Sequence, residues 1–255
     1  MNANSEVRLE FLRVVSVQKR RLGFTIVEFL VVLAILAVLC ALFIPFSRLG
    51  GVRNASLRSQ CMNNLKQIGL ALHNYHDKYQ AFPPAYTVDA SGKPLHSWRT
   101  LILPFVDQQS LYDKIDLSKP WDDPATAEAF KTRPQVYSCP SVNGPSDQTT
   151  YLAVAGPEGC LSPTHARPLS EITDGPSSTL MVVDVPEGNA VPWMAPQDAD
   201  VTLLLSFGEQ TPRQHTGGLH GLIADGAVRF ISMNTAPVTL KGLCTVAGHE
   251  TIGEF

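Results

Sequence analysis

The stretch "RRLGFTIVEFLVVLAILAVLC", residues 20–40, decides how this chain is organised. Two arginines precede an apolar run in which Glu28 is the one charged residue. As a helix, the run from Phe24 to Ile44 would be about 31 Å long, enough to cross a hydrocarbon core at 1.5 Å per residue. A carboxylate placed in lipid costs about 2.5–3.5 kcal/mol on insertion scales, so Glu28 requires an explanation.

Charge is distributed unevenly along the 255 residues, whose formal net charge is −3. Residues 1–23 carry five basic and two acidic groups, so the remainder of the chain is acidic. That remainder gives no indication of a nucleic-acid surface, and we expect no nucleic-acid partner. The basic residues directly before the apolar run predict a cytoplasmic segment 1–23 and an outward-facing remainder, by the positive-inside rule.

The apolar run allows three interpretations: a buried helix, a cleaved signal of the secretory or lipoprotein kind, and a retained helix. It is too long and too uniformly apolar for a buried helix of a soluble domain. An ordinary secretory signal needs a small-residue cleavage site, which "LCALFIPFSRLGG" (39–51) does not offer. A lipoprotein signal would use Cys40, but Leu39 before it is larger than the residue such signals carry. The third interpretation is a retained helix that follows a short leader.

This third interpretation rests on a resemblance. "RRLGFTIVEFLVVLAIL" resembles the class III signal of type IV pilins and pseudopilins. The resemblance implies that a prepilin peptidase cuts between Gly23 and Phe24 and that Phe24 is then methylated. Pro45 falls where pilin helices often carry a kinking proline.

The same resemblance implies a role for Glu28, namely contact with the N-terminal amine of a neighbouring subunit. A buried carboxylate is tolerated when an opposite charge and hydrogen bonds satisfy it. Such a pair can select the register between helices, as a buried polar residue does in a coiled coil. The alternative is that Glu28 extends to the cytoplasmic headgroups, and the sequence leaves both open.

Beyond the apolar run, residues 52–80 read as an amphipathic helix. An apolar stripe recurs at spacings of three and four: Leu57, Cys61, Leu65, Ile68, Leu72 and Tyr75. Gly50 and Gly51 predict a bend or break before it, since each glycine costs about 1 kcal/mol in a helix interior. Pro83 is expected to end the helix, because the residue before a proline disfavours the α-helical conformation.

The distal sequence predicts strands joined by loops rich in glycine and proline. A short helix is expected around 107–115, and strands at 135–141, 149–156, 178–186 and 201–207. Two further runs, 218–224 and 227–233, flank Asp225-Gly226 and predict a hairpin with a two-residue type I′ turn. The predicted fold class is α+β and pilin-like, with a long hydrophobic helix followed by a globular domain on an antiparallel sheet.

A second resemblance covers residues 20–235. It is carried by successive blocks: "CMNNLKQIGLALHNYHDKYQAFPPA" (61–85), "SWRTLILPFVDQQSLYDKID" (97–116), "YSCPS" (137–141), "TTYLAVAG" (149–156), "ITDGPSSTLMVVD" (172–184) and "HTGGLHGLIADGAVRFIS" (215–232). These blocks resemble the DUF1559 family of pseudopilin-like proteins. The last block fits its H-x9-DG pattern through His215, Asp225 and Gly226.

These resemblances imply a leader (1–23), a transmembrane or bundle helix (24–46) and a pseudopilin-like domain (52–255). The expected function is structural: a single-pass inner-membrane subunit, with its distal domain outside the cytoplasm. The expected partners are prepilin peptidase, the membrane and other pilin-like subunits of a type II secretion or type IV pilus-like fibre. The alternative is a membrane-anchored module that binds a ligand such as a polysaccharide through Trp98, Trp121 and Trp193.

Catalytic and metal-binding patterns are weak. His73 and His76 share a helix face, but zinc sites need three or four ligands, and no second pair accompanies them. His215 and Asp225 suggest a dyad without any nucleophile in a recognised context. The turns "TDG" (173–175) and "ADG" (224–226) lack EF-hand spacing for calcium. We therefore expect neither an enzyme nor a cofactor.

Five cysteines remain to be assigned. Cys40 lies in the apolar run, whereas the other four would face an oxidising compartment, which makes disulfides plausible. Four cysteines allow three pairings, and the sequence does not choose among them. We favour Cys61–Cys139, because both lie in blocks that resemble the family and the bond would connect the helix to the sheet.

Overall fold

The computed structural model describes residues 25–43, 49–208, 210–212 and 214–250. The chain divides into two compact units, Met1–Gly50 and Gly51–Phe255. In the first unit, helix α1 (Ile26–Phe43) is apolar except for Glu28, and its side chains from Ile26 to Cys40 are exposed. No helix among the residues described is both long and apolar enough to span a membrane. The predicted leader 1–23 and Pro45 lie outside the described residues.

Helix α2 (Leu49–Tyr79) is 31 residues long and includes the glycine pair at 50 and 51. The predicted break at this pair is therefore wrong, and the alternative, a bend, stays a prediction. Two glycines cost about 2 kcal/mol of helix propensity, and burial of the apolar stripe further along α2 offsets that cost. In that stripe Cys61, Leu65, Ile68 and Leu72 are completely buried. The helix ends before Pro83, with Gln80 in the left-handed conformation (φ 60°).

A four-stranded antiparallel sheet forms the centre of the second unit, in the order β4-β5-β7-β8. Its strands are β4 (Tyr151–Ala153), β5 (Leu180–Asp184), β7 (Gly218–Ile223) and β8 (Val228–Ser232). All five residues of β5 are buried. This central strand therefore packs against neighbours on both faces, and the predicted α+β class with an antiparallel sheet is confirmed.

The two faces of the sheet contribute to separate hydrophobic clusters. One cluster combines the α2 stripe with Met181, Val182 and Leu222. The other combines Val183 and Ile223 with residues of α6 (Val201–Ser206) and α7 (Pro237–Leu243). The sheet is therefore the middle layer of three, with α2 on one side.

Smaller elements complete the unit. Two two-stranded sheets pair β1 (Tyr86–Val88) with β2 (Pro94–Ser97) and β3 (Gln148–Thr149) with β6 (Val191–Pro192). The one-turn helices are α3 (Trp98–Leu101), α4 (Gln109–Tyr112) and α5 (Ala127–Phe130). Helix α4 lies within the range predicted as helical, 107–115.

The β7–β8 hairpin occurs where it was predicted, but with a different turn. Gly226 has φ 88°, whereas Asp225 is not among the described residues with positive φ, so the turn is not type I′. Gly226 N–H donates to Ile223 O (2.9 Å), and Ile223 N–H donates to Ala227 O (2.8 Å). These bonds define a three-residue loop with the glycine at a bulge.

Two predicted strands are wrong. Residues 201–207 contain helix α6, because the Asp200 side chain accepts a hydrogen bond from Leu203 N–H (2.7 Å) and caps a helical turn. Residues 135–141 begin with a 3₁₀ turn, Gln135–Tyr137, in which Tyr137 N–H donates to Pro134 O (3.0 Å). In both segments a local hydrogen bond outweighs the β propensity of the apolar residues.

Gly221 in β7 provides a test of how tightly side chains of the neighbouring strands β5 and β8 pack around β7. A Cβ at this position would lie 2.5 Å from Leu180 Cδ1 and 2.8 Å from Ile231 Cδ1. Gly221→Ala is therefore expected to lower the free energy of unfolding by about 1–3 kcal/mol, the usual cost of overpacking a core. Gly188→Ala is the control, because nothing lies within 4 Å of its Cβ position. Urea unfolding of both variants checks this, and equal midpoints would contradict it.

Candidate functional site

Glu28, the N-terminal candidate residue that the structure describes, lies in the first turn of α1. Thr25 N–H donates to Glu28 Oε2 (2.9 Å), and Glu28 N–H donates to Thr25 Oγ1 (3.3 Å). These reciprocal bonds form a capping box, which satisfies two of the free N–H groups at the start of a helix. The Thr-x-x-Glu spacing was visible in the sequence, but its capping role was not recognised. Gly23 and Phe24, the predicted processing residues, lie outside the described residues.

The second unit brings together four polar side chains that are far apart in sequence. Cys61 on α2 and Cys139 after the 3₁₀ turn form a disulfide, with their Cα atoms 5.1 Å apart. Asp184 at the end of β5 and His215 before β7 lie beside it. We call these four residues, all of them buried, the Cys–His–Asp cluster.

His215 connects the members of the cluster. Its Nε2 lies 3.1 Å from Asp184 Oδ2 and 3.7 Å from Cys139 Sγ. The Asp184 side chain is completely buried and that of His215 is 3% exposed, so their interaction is screened little by water. The carboxylate and the sulfur therefore both approach the same ring nitrogen.

A second layer of side chains orients the cluster. The other carboxylate oxygen, Asp184 Oδ1, accepts hydrogen bonds from Thr150 Oγ1 (2.6 Å) and Gln214 Nε2 (2.9 Å). The His220 ring packs edge-on against the His215 ring, with centroids 4.5 Å apart. Burial, together with the nearby His215 and Arg58, lowers the pKa of His220 to about 4. Neutral His220 can then accept the hydrogen bond from Arg58 Nε (3.0 Å).

The residues of the H-x9-DG pattern separate in the structure. The hydrogen-bond partner of His215 is Asp184, which lies 31 residues away in the sequence. Asp225 instead accepts from Ala227 N–H (2.8 Å) within the hairpin turn. The suggested His215–Asp225 dyad is replaced by His215–Asp184. Asp184 was missed, although an acid that ends the apolar run "LMVV" was a usable signal.

The other residues considered as ligands have structural contacts. His76 Nε2 accepts from Leu169 N–H (3.3 Å), and the His73 ring packs edge-on against Phe82. Asp174 of the "TDG" turn accepts from Gly248 N–H (2.7 Å) and His249 N–H (2.8 Å). Among the described residues, none of these three joins a cluster of metal-binding side chains.

The three tryptophans do not form a surface for stacking on sugars. Trp98 and Trp193 are completely buried, with Trp98 Nε1 donating to Asp198 and Trp193 Nε1 donating to Phe130 O. Trp121 is half-buried and packs against Phe130. The three tryptophans were the support for the polysaccharide-binding alternative. That support is corrected, because two of the three side chains belong to the core.

Cys160 and Cys244 are free and buried, and Cys40 is free and exposed. Burial raises the pKa of both the Cys160 and Cys244 thiols to about 12. Because the thiolate is the reactive form, these two thiols are chemically inert.

Among the described residues, the donor atoms that could converge on a metal ion are those of the Cys–His–Asp cluster, which lie within 4.8 Å of one another.

Comparison with known families gives two matches. Residues 51–166 match a family described as "Protein of unknown function (DUF1559)". Residues 18–44 match the prokaryotic N-terminal methylation motif. Both family resemblances inferred from the sequence are therefore confirmed, the second of them over residues 51–166. The blocks at 172–184 and 215–232, with the H-x9-DG pattern, lie outside that match. No curated protein and no solved structure matches the chain.

Proposed function

Because this chain is a pilin-like protein with a prepilin-type N-terminus, we propose that it is a structural subunit of a fibre of the type II secretion or type IV pilus kind. In this proposal prepilin peptidase cuts after Gly23, and Phe24 becomes the methylated first residue. Before assembly the subunit lies in the inner membrane, with residues 24–46 as its anchor and residues 52–255 outside the cytoplasm. Its role is to assemble with other pilin-like subunits rather than to catalyse a reaction.

The observation that carries the proposal is the exposed surface of α1. Apolar side chains on every side of this helix are exposed, among them Ile26 (80%), Phe29 (58%) and Val38 (60%). A helix that is apolar all round is stable only when it is buried. Lipid before assembly and neighbouring α1 helices after assembly would each supply that burial.

Glu28 gives the helix bundle its register in this proposal. The capping box uses only one carboxylate oxygen, Oε2, for both contacts with Thr25. The charge of Glu28 stays available to the amine of a neighbouring subunit. Inside a bundle of apolar helices, that pairing removes the cost of an uncompensated buried charge.

Two matched variants separate the charge of Glu28 from its capping role. Glu28→Gln keeps a capping-box residue and removes the charge. It is expected to reduce the sheared fibre fraction at least about 10-fold, since breaking a buried pair costs roughly 3–5 kcal/mol. Thr25→Ala removes the capping hydroxyl, keeps the charge and is expected to assemble near the wild-type level. The measurement is immunoblotting of sheared fibres against total protein.

Processing is checked in the same samples. Mass spectrometry of the mature N-terminus should find methylated Phe24 in the wild type and in both variants, which excludes a cleavage defect as the cause. Unchanged fibre yield from processed Glu28→Gln protein would refute the register role. A mature N-terminus other than Phe24 would refute the processing step itself.

A further inference from the structure

We propose that the Cys–His–Asp cluster binds one zinc-like divalent cation when its two cysteines are reduced. The inference rests on the buried side chains of the second unit and is independent of fibre assembly. Its ligands would be the thiolates of Cys61 and Cys139, the imidazole of His215 and the carboxylate of Asp184. This donor set, two sulfurs with a nitrogen and an oxygen, is of the type that zinc accepts.

Two of the spacings between donor atoms are close to those of a tetrahedral site, and the two sulfurs, which are bonded to each other in this structure, would separate on reduction. With metal–sulfur bonds of about 2.3 Å and metal–nitrogen or metal–oxygen bonds of about 2.0–2.2 Å, neighbouring ligand atoms lie about 3.3–3.8 Å apart. His215 Nε2 lies 3.7 Å from Cys139 Sγ and 3.1 Å from Asp184 Oδ2. Both distances are close to the edge lengths of such a tetrahedron, even in the absence of an ion.

The convergence on one nitrogen is itself informative. Nε2 of an imidazole carries at most one hydrogen; in this structure Asp184 Oδ2 at 3.1 Å is its hydrogen-bond partner, and Cys139 Sγ at 3.7 Å is a longer contact. A cation between the three atoms would accept a lone pair from each of them.

Second-layer contacts hold the carboxylate in the required orientation. Both donors to Asp184, Thr150 Oγ1 and Gln214 Nε2, bind Oδ1 and leave Oδ2 facing His215. Metal sites usually have such outer-shell bonds, which fix the ligand geometry. Two thiolates, one carboxylate and a divalent cation sum to one negative charge. The Arg58 guanidinium, bonded to His220 beside His215, places a positive charge on that side of the cluster.

A surface cleft provides a route to the cluster. It has a volume of about 370 Å³, and its lining includes Leu57, Arg58, Ser141, Gln214 and His215. His215 is therefore both a member of the cluster and part of the cleft wall. A hydrated cation entering the cleft would reach this ligand first.

The disulfide and the metal site use the same sulfurs, so they exclude each other. A dithiol reductant supplies two electrons and two protons, the Cys61–Cys139 bond breaks to two thiols, and the reductant becomes a cyclic disulfide. Binding of the cation then displaces the two thiol protons to solvent. The redox state of this one pair thereby decides whether the cluster is a covalent crosslink or a metal site.

The test uses the full-length chain in detergent, with Co²⁺ as a spectroscopic probe and Zn²⁺ as a competitor. One sample is handled without oxygen and reduced with a phosphine, which with one water molecule converts the disulfide to two thiols and becomes a phosphine oxide. The other sample is fully oxidised. The reduced sample is expected to give thiolate-to-cobalt charge-transfer bands, intense tetrahedral visible bands and displacement by one equivalent of Zn²⁺. The oxidised sample is expected to give none of these.

Variants assign the signal to the cluster. Asp184→Asn and His215→Gln should weaken Co²⁺ binding at least about 10-fold, a loss already typical of outer-shell changes. A control that replaces Cys40, Cys160 and Cys244 with alanine should keep the full spectrum. A wild-type reduced sample without tetrahedral cobalt, or equal binding by the oxidised sample, would overturn the proposal. The comparison of reduced with oxidised wild-type protein tests the proposal even if a ligand variant fails to fold.

Discussion

Replacing Asp198 with alanine is expected to lower the free energy of unfolding by about 3–5 kcal/mol, the usual cost of removing one partner of a buried ion pair. The Asp198 carboxylate lies 2.7 Å from Arg99 Nη1, and the two side chains are 4% and 0% exposed. Without Asp198, the guanidinium would stay buried with its charge uncompensated. Urea or thermal unfolding of the detergent-solubilised chain measures the difference.

The hydrogen bonds around this ion pair indicate why the loss of stability should be large. Arg99 also donates to main-chain oxygens at four positions, Tyr151, Trp193, Ala195 and Gln197. Asp198 Oδ1 accepts from Trp98 Nε1 (2.9 Å) and Ala153 N–H (2.8 Å). The alanine variant would leave both of these donors without their acceptor.

An exposed pair in the same unit supplies the control. Glu128 and Lys131 lie 2.9 Å apart, with side chains 89% and 69% exposed. Glu128→Ala is expected to leave the unfolding midpoint unchanged, because exposed ion pairs contribute little to stability. If the two alanine variants lost equal stability, the argument from burial would be wrong.

Replacing both Cys61 and Cys139 with alanine is expected to destabilise the oxidised, metal-free chain by about 4–5 kcal/mol, from the loop-closure entropy of their separation. The two cysteines are 78 residues apart, so their bond closes a long loop in the unfolded chain. The bond also connects α2 to the segment that follows the 3₁₀ turn. Denaturant unfolding monitored by circular dichroism gives the change in midpoint.

The control for this double variant is Cys160→Ala, which removes one buried sulfur and leaves the disulfide intact. We expect this variant to lower the free energy of unfolding much less, because only a small cavity replaces the thiol. Adding a reductant to the wild type without metal should reproduce most of the effect of the double variant. A double variant within about 1 kcal/mol of the wild type would contradict the loop-closure argument.

The sequence was most informative where one periodic pattern dominated. The spacing of the apolar residues predicted α2, and its stripe is buried at Cys61, Leu65, Ile68 and Leu72. The hairpin was located correctly because Asp225-Gly226 separates two β-compatible runs. Its turn type was predicted wrongly, because the extra loop residue, Ala224, looks like part of a strand.

Segments governed by one local hydrogen bond were predicted poorly. "VTLLLSF" has the composition of a strand, yet the Asp200 cap makes residues Val201–Ser206 helical. The Cys–His–Asp cluster could not be predicted as a unit, since its residues lie on four separate segments brought together by the sheet and α2. Long-range contacts of this kind carry no spacing pattern within the sequence.

The contacts of Arg99 also constrain the order in which the second unit can form. Each of its side-chain partners, from Tyr151 to Asp198, follows it by 52 to 99 residues. If the chain crosses the membrane starting from its anchor, Arg99 emerges long before the carboxylate that balances its charge. The core around Arg99 can therefore close only after residue 198 has crossed.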